Sequence, residues 1–229
     1  MITKKFTIDD LGLTYSVGIN QININVDKLI ENYKLKNETD TLNYIFNLIE
    51  EIQGNYEESI VQFFSDDFIS NLDHIYTACY YIQKAFFNRV NISNSKNIEL
   101  LLYLNATRQI KIAIESFGIK VSNLKSGKLN YCILSNENNL KEINSSILEK
   151  LLASEIELTL NNKSKEKFEK IKNFYNFSNN QINCVLNSYG LISINENQII
   201  NQLENIFLAI HDLICEKMSL LSLEKFKSD

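Results

Sequence analysis

The side chains that ordinarily carry acid–base, nucleophilic or metal chemistry are few in this chain and spread along it. Its two histidines, His74 and His211, are read as lacking a Cys, Asp or Glu at the spacing of a helix-borne metal site, with Asp73 and Asp212 merely adjoining them. An imidazole without an orienting partner is poor equipment for general acid–base work, so His74 is expected to be a structural residue of its helix. Cys79, Cys132, Cys184 and Cys215 are at least thirty residues apart, with no close pair for a zinc knuckle or a redox dithiol. They are expected as reduced, mostly buried thiols. The six glycines are too scattered to build a phosphate-cradling loop, and there is no Gly-x-Ser-x-Gly elbow. The acidic doublets at 9–10, 50–51, 57–58 and 66–67 point neighbouring carboxylates apart and read as solvated or capping groups. No metal, no cofactor and no enzymatic activity are expected.

One stretch stands apart. The only two arginines, Arg89 and Arg108, bracket a segment in which Asn105, Thr107, Arg108 and Gln109 interrupt an otherwise apolar helix. Burying guanidinium and amide groups is costly unless something satisfies them. In one reading Arg108 bonds loop carbonyls or an acidic residue and holds the 88–95 loop down. In the other, a small polar pocket between that loop and the helix receives a phosphate or a base, as Arg, Lys and Asn donors do. A cryptic enzyme built on Arg108, Tyr103 and Glu99 is disfavoured, because no nucleophile–base pair accompanies them.

Periodicity supplies the elements that hold this stretch. Alternation over 11–26 predicts a strand or hairpin, with a phase slip near Asn20-Gln21 that reads as a bulge. Three- and four-residue steps through Leu42, Ile45, Ile49 and Ile52 predict a helix over 38–53 ending at Gly54, followed by a strand at 59–64. Asp66 or Asp67 is expected to cap a long helix ending near Arg89, and Ser95 a second one running to Gly118. A turn at 125–128, strands at 129–134 and 156–160, and helices at 137–152 and 162–175 follow. The remainder, 178–226, reads as helical with a break at Tyr189-Gly190. Single strands among helices of uneven length predict an α+β fold with a small, mainly antiparallel sheet and a helical C-terminal extension.

Composition sets the bounds. The 229 residues are 45% hydrophobic and 22% charged, which excludes a disordered tail. A net charge of -5 argues against a broad cationic face for nucleic acid, though not against a small local one. Proline and tryptophan are absent, and the abundant Asn, Ile and Lys reflect codon bias rather than a prion-like segment. No apolar run reaches the ~18–20 residues that span a bilayer, and the first residues lack an apolar signal core. A soluble, cytoplasmic protein without membrane contact is expected.

Asn91-Ile-Ser-Asn-Ser, then Ile98-Glu-Leu-Leu-Leu-Tyr, Thr107-Arg-Gln-Ile and Ala113-Ile-Glu-Ser-Phe-Gly-Ile, resemble the signature of the CGI-type, kinase-associated regulatory subunit of the KEOPS complex. The resembling core runs from about residue 66 to 120, with His74 and Ala78 at fitting positions and weaker similarity through 129–134, 155–174 and 216–224. The sequence departs from that pattern at Asn91, where a proline is expected, and at Ala106-Thr107, in place of a glycine-containing pair.

The resemblance implies a non-catalytic part in making threonylcarbamoyladenosine in the anticodon loop of tRNA. It implies binding and activating the complex's kinase/ATPase subunit, and helping recruit the tRNA 3′ CCA end. Asn94, Ser95 and Arg108 match the signature; Arg89 and Lys96 are nearby cations added on electrostatic grounds as RNA contacts. The last helix carries an apolar seam from Leu203 to Leu221, which either packs on the protein's own sheet or seats a partner helix. The resemblance favours the partner, with Ile214, Met218 and Leu221 as the kinase contact. The expected organisation is a core over 1–176, with 177–229 an inserted segment and partner-binding helix on the same domain. The alternative is a stand-alone RNA-end binding or scaffold protein whose terminal seam is buried internally.

Overall fold

In a computed structural model that describes residues 1–57, 59–194 and 199–223, the fold is α+β. In chain order the elements are β1 (Ile2–Ile8), β2 (Leu13–Asn23), α1 (Val26–Tyr33), α2 (Glu38–Asn55), β3 (Ser59–Phe64), α3 (Leu72–Phe87), α4 (Lys96–Asn105) and α5 (Ile110–Phe117). They continue with α6 (Val121–Leu124), β4 (Lys128–Ser135), α7 (Leu140–Lys150), β5 (Ser154–Glu155), α8 (Lys165–Tyr175), α9 (Asn179–Ser188) and α10 (Ile199–Leu223). Two compact units are assembled from interleaved segments. One takes 1–65, 95–97 and 118–158; the other takes 66–94, 98–117 and the chain from 159 onward. Residues 159–176 and the described residues beyond 176 therefore share one unit.

The first unit is an antiparallel sheet in the order β1-β2-β4-β3, with β5 pairing the end of β2. Ile22, Val61, Phe63, Tyr131 and Ile133 form its core with Leu29, Ile45, Ile52, Ile143 and Ile147 from α1, α2 and α7. The bulge expected near Asn20-Gln21 is absent, since β2 pairs β4 without interruption from Ser16↔Ser135 to Asn23↔Lys128. The phase slip has another cause. Residues 17–22 are buried on both faces of the strand, so alternation is lost while the pairing is kept. Asn20 and Gln21 tolerate this because each is partnered. Gln21 Nε2 donates to Asn130 Oδ1 at 2.9 Å, and Asn20 Nδ2 reaches Tyr131 Oη, Asn144 Oδ1 and Glu155 Oε1 within 2.9–3.0 Å.

The second unit is helical, with α10 packed against α3, α8 and α9. Three boundaries differ most from those the sequence predicts, beyond shifts of two or three residues at α2, α7 and α8. First, α3 begins at Leu72 and not after Asp66, because Asn71 Oδ1 accepts the His74 amide at 2.9 Å and takes the capping role. Asp66 instead offers its carbonyl to the Ile69 amide, forming a turn. Second, the long helix expected over 95–118 is two helices, α4 and α5, broken after Asn105. Third, the strand expected at 156–160 is the two-residue β5 at 154–155. The expected helical residues 224–226 lie outside the described part.

Candidate functional site

The candidate segment begins where α3 ends. Arg89 adopts φ 57, and the Arg89 and Val90 amides donate back to the Phe86 and Ala85 carbonyls at 3.2 and 2.9 Å, so the helix closes with a left-handed residue. The loop that follows is fastened from inside. Glu99, fully buried on α4, accepts from the Ile92 amide with both oxygens, at 3.0 and 3.1 Å, and from the Ser93 amide at 2.7 Å. Charge-assisted bonds to backbone donors are among the stronger ones, and here they define the loop's shape. Asn91 Nδ2 adds a bond to the Ser93 carbonyl at 3.0 Å. Arg89, Asn94 and Ser95 are exposed and Lys96 half-buried. A catalytic use of Glu99 or Tyr103 has no support in this geometry, because both side chains are fully buried and Glu99 is committed to the loop.

At the other end, α4 closes by the same device. The Ala106 amide donates to the Tyr103 carbonyl at 3.0 Å and the Thr107 amide to the Leu102 carbonyl at 3.1 Å, with Ala106 at φ 53. Arg108 then donates from Nη1 to the Leu221 carbonyl at 2.7 Å, in the last turn of α10. A cation at a helix C-terminus satisfies an orphan carbonyl and complements the helix dipole. Arg108 therefore does hold a backbone carbonyl, as the structural reading anticipates, but that carbonyl belongs to α10 and not to the 88–95 loop. Asn94, Ser95 and Lys96 precede or open α4 while Arg108 follows it. The helix between them is about 14 Å long at 1.5 Å per residue and buried from Glu99 to Asn105, so these residues do not meet in the expected single pocket.

His74 and Tyr175 converge on the end of α4. The Leu104 carbonyl, unpaired by its own helix, accepts from His74 Nε2 at 3.1 Å and from Tyr175 Oη at 2.5 Å. His74 Nδ1 accepts the Ser70 amide at 3.3 Å, which fixes the proton on Nε2. Burial pushes the His74 pKa down to about 3, so the ring is neutral. Lys167 is lowered to about 8 by burial and bonds the Leu160 and Asn162 carbonyls at 2.6 and 3.2 Å. Both groups shape the backbone.

The three residues expected to meet the kinase are inside. Ile214 and Met218 are fully buried and Leu221 is 5% exposed, because that face of α10 lies against its neighbouring helices within the same unit. The seam packs on helices of its own unit. Leu208 and Leu220, on other faces of α10, are 42% and 47% exposed. One arrangement escaped the sequence reading. Cys215 follows His211 by four residues and its Sγ lies 3.4 Å from the ring Nε2; the His-x-x-x-Cys spacing was the available signal.

Among the described residues no trio of His, Cys, Asp or Glu is placed to hold a metal ion, and no helix is long and apolar enough to cross a membrane. No protein-family profile matches the chain, and no curated protein sequence matches it.

Proposed function

We propose that the chain is a non-catalytic regulatory subunit of the KEOPS complex, which binds and activates the kinase/ATPase subunit and helps recruit the tRNA 3′ CCA end in cytoplasmic tRNA modification. The observation that carries this reading is the turn at 106–107. The family signature expects a glycine-containing pair there, and Ala106 holds a left-handed φ of 53, the conformation glycine adopts most readily. The residue types depart from the signature at this turn, while the backbone keeps the conformation that the signature's glycine would serve. The α+β fold with its antiparallel sheet is also the one the resemblance implies.

In this reading the RNA end is met by Arg89, Asn94, Ser95 and Lys96 ahead of α4, with Arg108 a separate contact after it, since residues 99–105 of the helix between them are buried. The kinase meets the outward side of α10 through Leu208 and Leu220, since Ile214, Met218 and Leu221 are occupied. The deciding experiment measures binding of the purified chain to full-length tRNA, and to the same tRNA without CCA, with and without the kinase, at stated salt. Loss of binding with the CCA end, weakened also by Arg108→Gln in a folded variant, is the expected result. RNA binding that ignores CCA and Arg108 overturns the RNA assignment. Unchanged kinase affinity in Leu208→Glu/Leu220→Glu overturns the α10 contact.

A second reading, a stand-alone RNA-end binding or scaffold protein, is favoured by the burial of the α10 seam. It predicts RNA binding with no kinase capture at all.

A further inference from the structure

The sheet of the first unit ends in two edge strands, β1 and β3, and the chain treats them differently. In an antiparallel edge strand, alternate residues turn their N–H and C=O away from the neighbouring strand, where they form a template for pairing with another chain. Along β3 these groups find partners nearby. The Ser59 amide donates to the Tyr56 carbonyl at 2.8 Å, and the Val61 amide to Gln53 Oε1 at 3.2 Å. Asn97 Nδ2 donates to the Val61 carbonyl at 2.8 Å, and Gln62 Nε2 to the Phe63 carbonyl at 2.5 Å. All six residues of β3 are buried.

The other edge is built differently. Ile2, Thr3, Lys4 and Lys5 are all exposed, and since successive side chains alternate, this half of β1 is exposed on both faces. Its pairing with β2 runs uninterrupted from Ile2↔Ile19 to Ile8↔Leu13, with no bulge or proline to spoil the edge. Among the described residues no other strand pairs with β1. Lys4 and Lys5 are the only charges in the strand and project to opposite faces.

We propose that the outer edge of β1 is a docking site for an acidic, extended peptide segment of another protein, which adds to the sheet as a further strand. Main-chain bonds supply the affinity in this mode and side chains the specificity. Two adjacent acidic residues in the incoming strand also project to opposite faces, so each meets one lysine across the new pair. Phe6, half-buried and stacked on Tyr15 at 5.4 Å, offers an apolar step beside the lysines for a β-branched or aromatic residue. A second copy of this chain is the poorer occupant. Its two-fold pairing would be antiparallel, and the register that overlaps the whole of β1 with itself sets Lys5 opposite Lys5, where like charges destabilise. The lysines therefore guard the edge against self-association and select an acidic partner by the same charge. β1 carries none of the residues assigned above to RNA or kinase, so docking here does not depend on that function.

The test titrates the full chain into fluorescein-labelled octapeptides of Thr, Val and Tyr that carry Glu-Glu, Gln-Gln or Lys-Lys at the two central positions, read by anisotropy. The expected result is that the Glu-Glu peptide binds about tenfold tighter than the Lys-Lys peptide, with the margin shrinking at high salt. Binding should slow amide hydrogen exchange at residues 2–8. In Lys4→Glu/Lys5→Glu, shown by circular dichroism to be folded, the order of the peptides should reverse. A wild-type chain that does not bind the Glu-Glu peptide overturns the proposal, as does equal affinity for all three peptides or protection confined to residues outside β1. Slow exchange at 2–8 that grows with protein concentration in the absence of peptide identifies a second copy as the occupant and overturns it as well.

Discussion

Lowering the pH tests the neutral, buried imidazole of His74 directly. The unfolded chain binds a proton at this site with an ordinary pKa of about 6.5, whereas the folded chain resists until about 3. Between those values the unfolded state holds more protons, so stability falls as pH falls. From pH 7.5 to pH 5 the loss from this one group is about 2 kcal/mol, at about 1.4 kcal/mol per pH unit below the unfolded value. His211, also lowered by burial, acts in the same direction, so the informative quantity is a difference between proteins. Urea unfolding followed by circular dichroism at both pH values is carried out on wild type and on His74→Gln, which keeps a donor and an acceptor. The variant should lose about 2 kcal/mol less than wild type over this interval. Equal losses, or a His74 resonance titrating near 6.5 in the folded protein, would refute the argument.

Three other substitutions follow from the geometry. Ala106→Gly relieves a left-handed alanine and should stabilise by about 0.5–1 kcal/mol after the entropy of the freer unfolded chain is counted, read as a higher urea midpoint. Glu99→Ala strands the Ile92 and Ser93 amides; a cost of about 3 kcal/mol and faster hydrogen exchange at 91–93 are expected. Tyr175→Phe removes one of two donors from the Leu104 carbonyl and should cost about 1 kcal/mol, since His74 keeps the other.

The elements most legible in the sequence were those whose pattern has a single cause. Residues 59–64 were placed by a compact apolar run, and the helix expected over 38–53 by its three- and four-residue steps, although it continues through Gly54 to Asn55. The misplacements have local causes. The break between α4 and α5 lacks the glycine that usually marks it, so Ala106 left an apparently continuous helix. At the start of α3, Asp66, Asp67 and Asn71 are all competent caps, and residue type alone does not choose among them; Asn71 takes the role. For β2, burial on both faces erased the alternation and imitated a bulge.

Of the candidate site, the segment carrying Arg89 to Arg108 was found from its polar residues. Its geometry was not, because the partner of Arg108 lies more than a hundred residues away, on α10. The apolar seam of α10 could not reveal whether its covering helices belonged to the same chain. The His211–Cys215 contact was readable from spacing alone.

The order of strands in the sheet bears on how the protein is made. The central pair joins β2 to β4, so Asn20 meets Tyr131 across more than a hundred residues of intervening chain. At about 5–20 residues per second, a ribosome leaves the β1–β2 hairpin without its principal neighbour for several seconds. Pairings this distant in sequence also close slowly once the chain is free. During that interval the edge of β2 that will later accept β4, rich in Val, Ile and Asn, is open to any other strand. Refolding yield should therefore depend on protein concentration, and synthesis in the cell should depend on something that shields the hairpin until residue 135 has emerged.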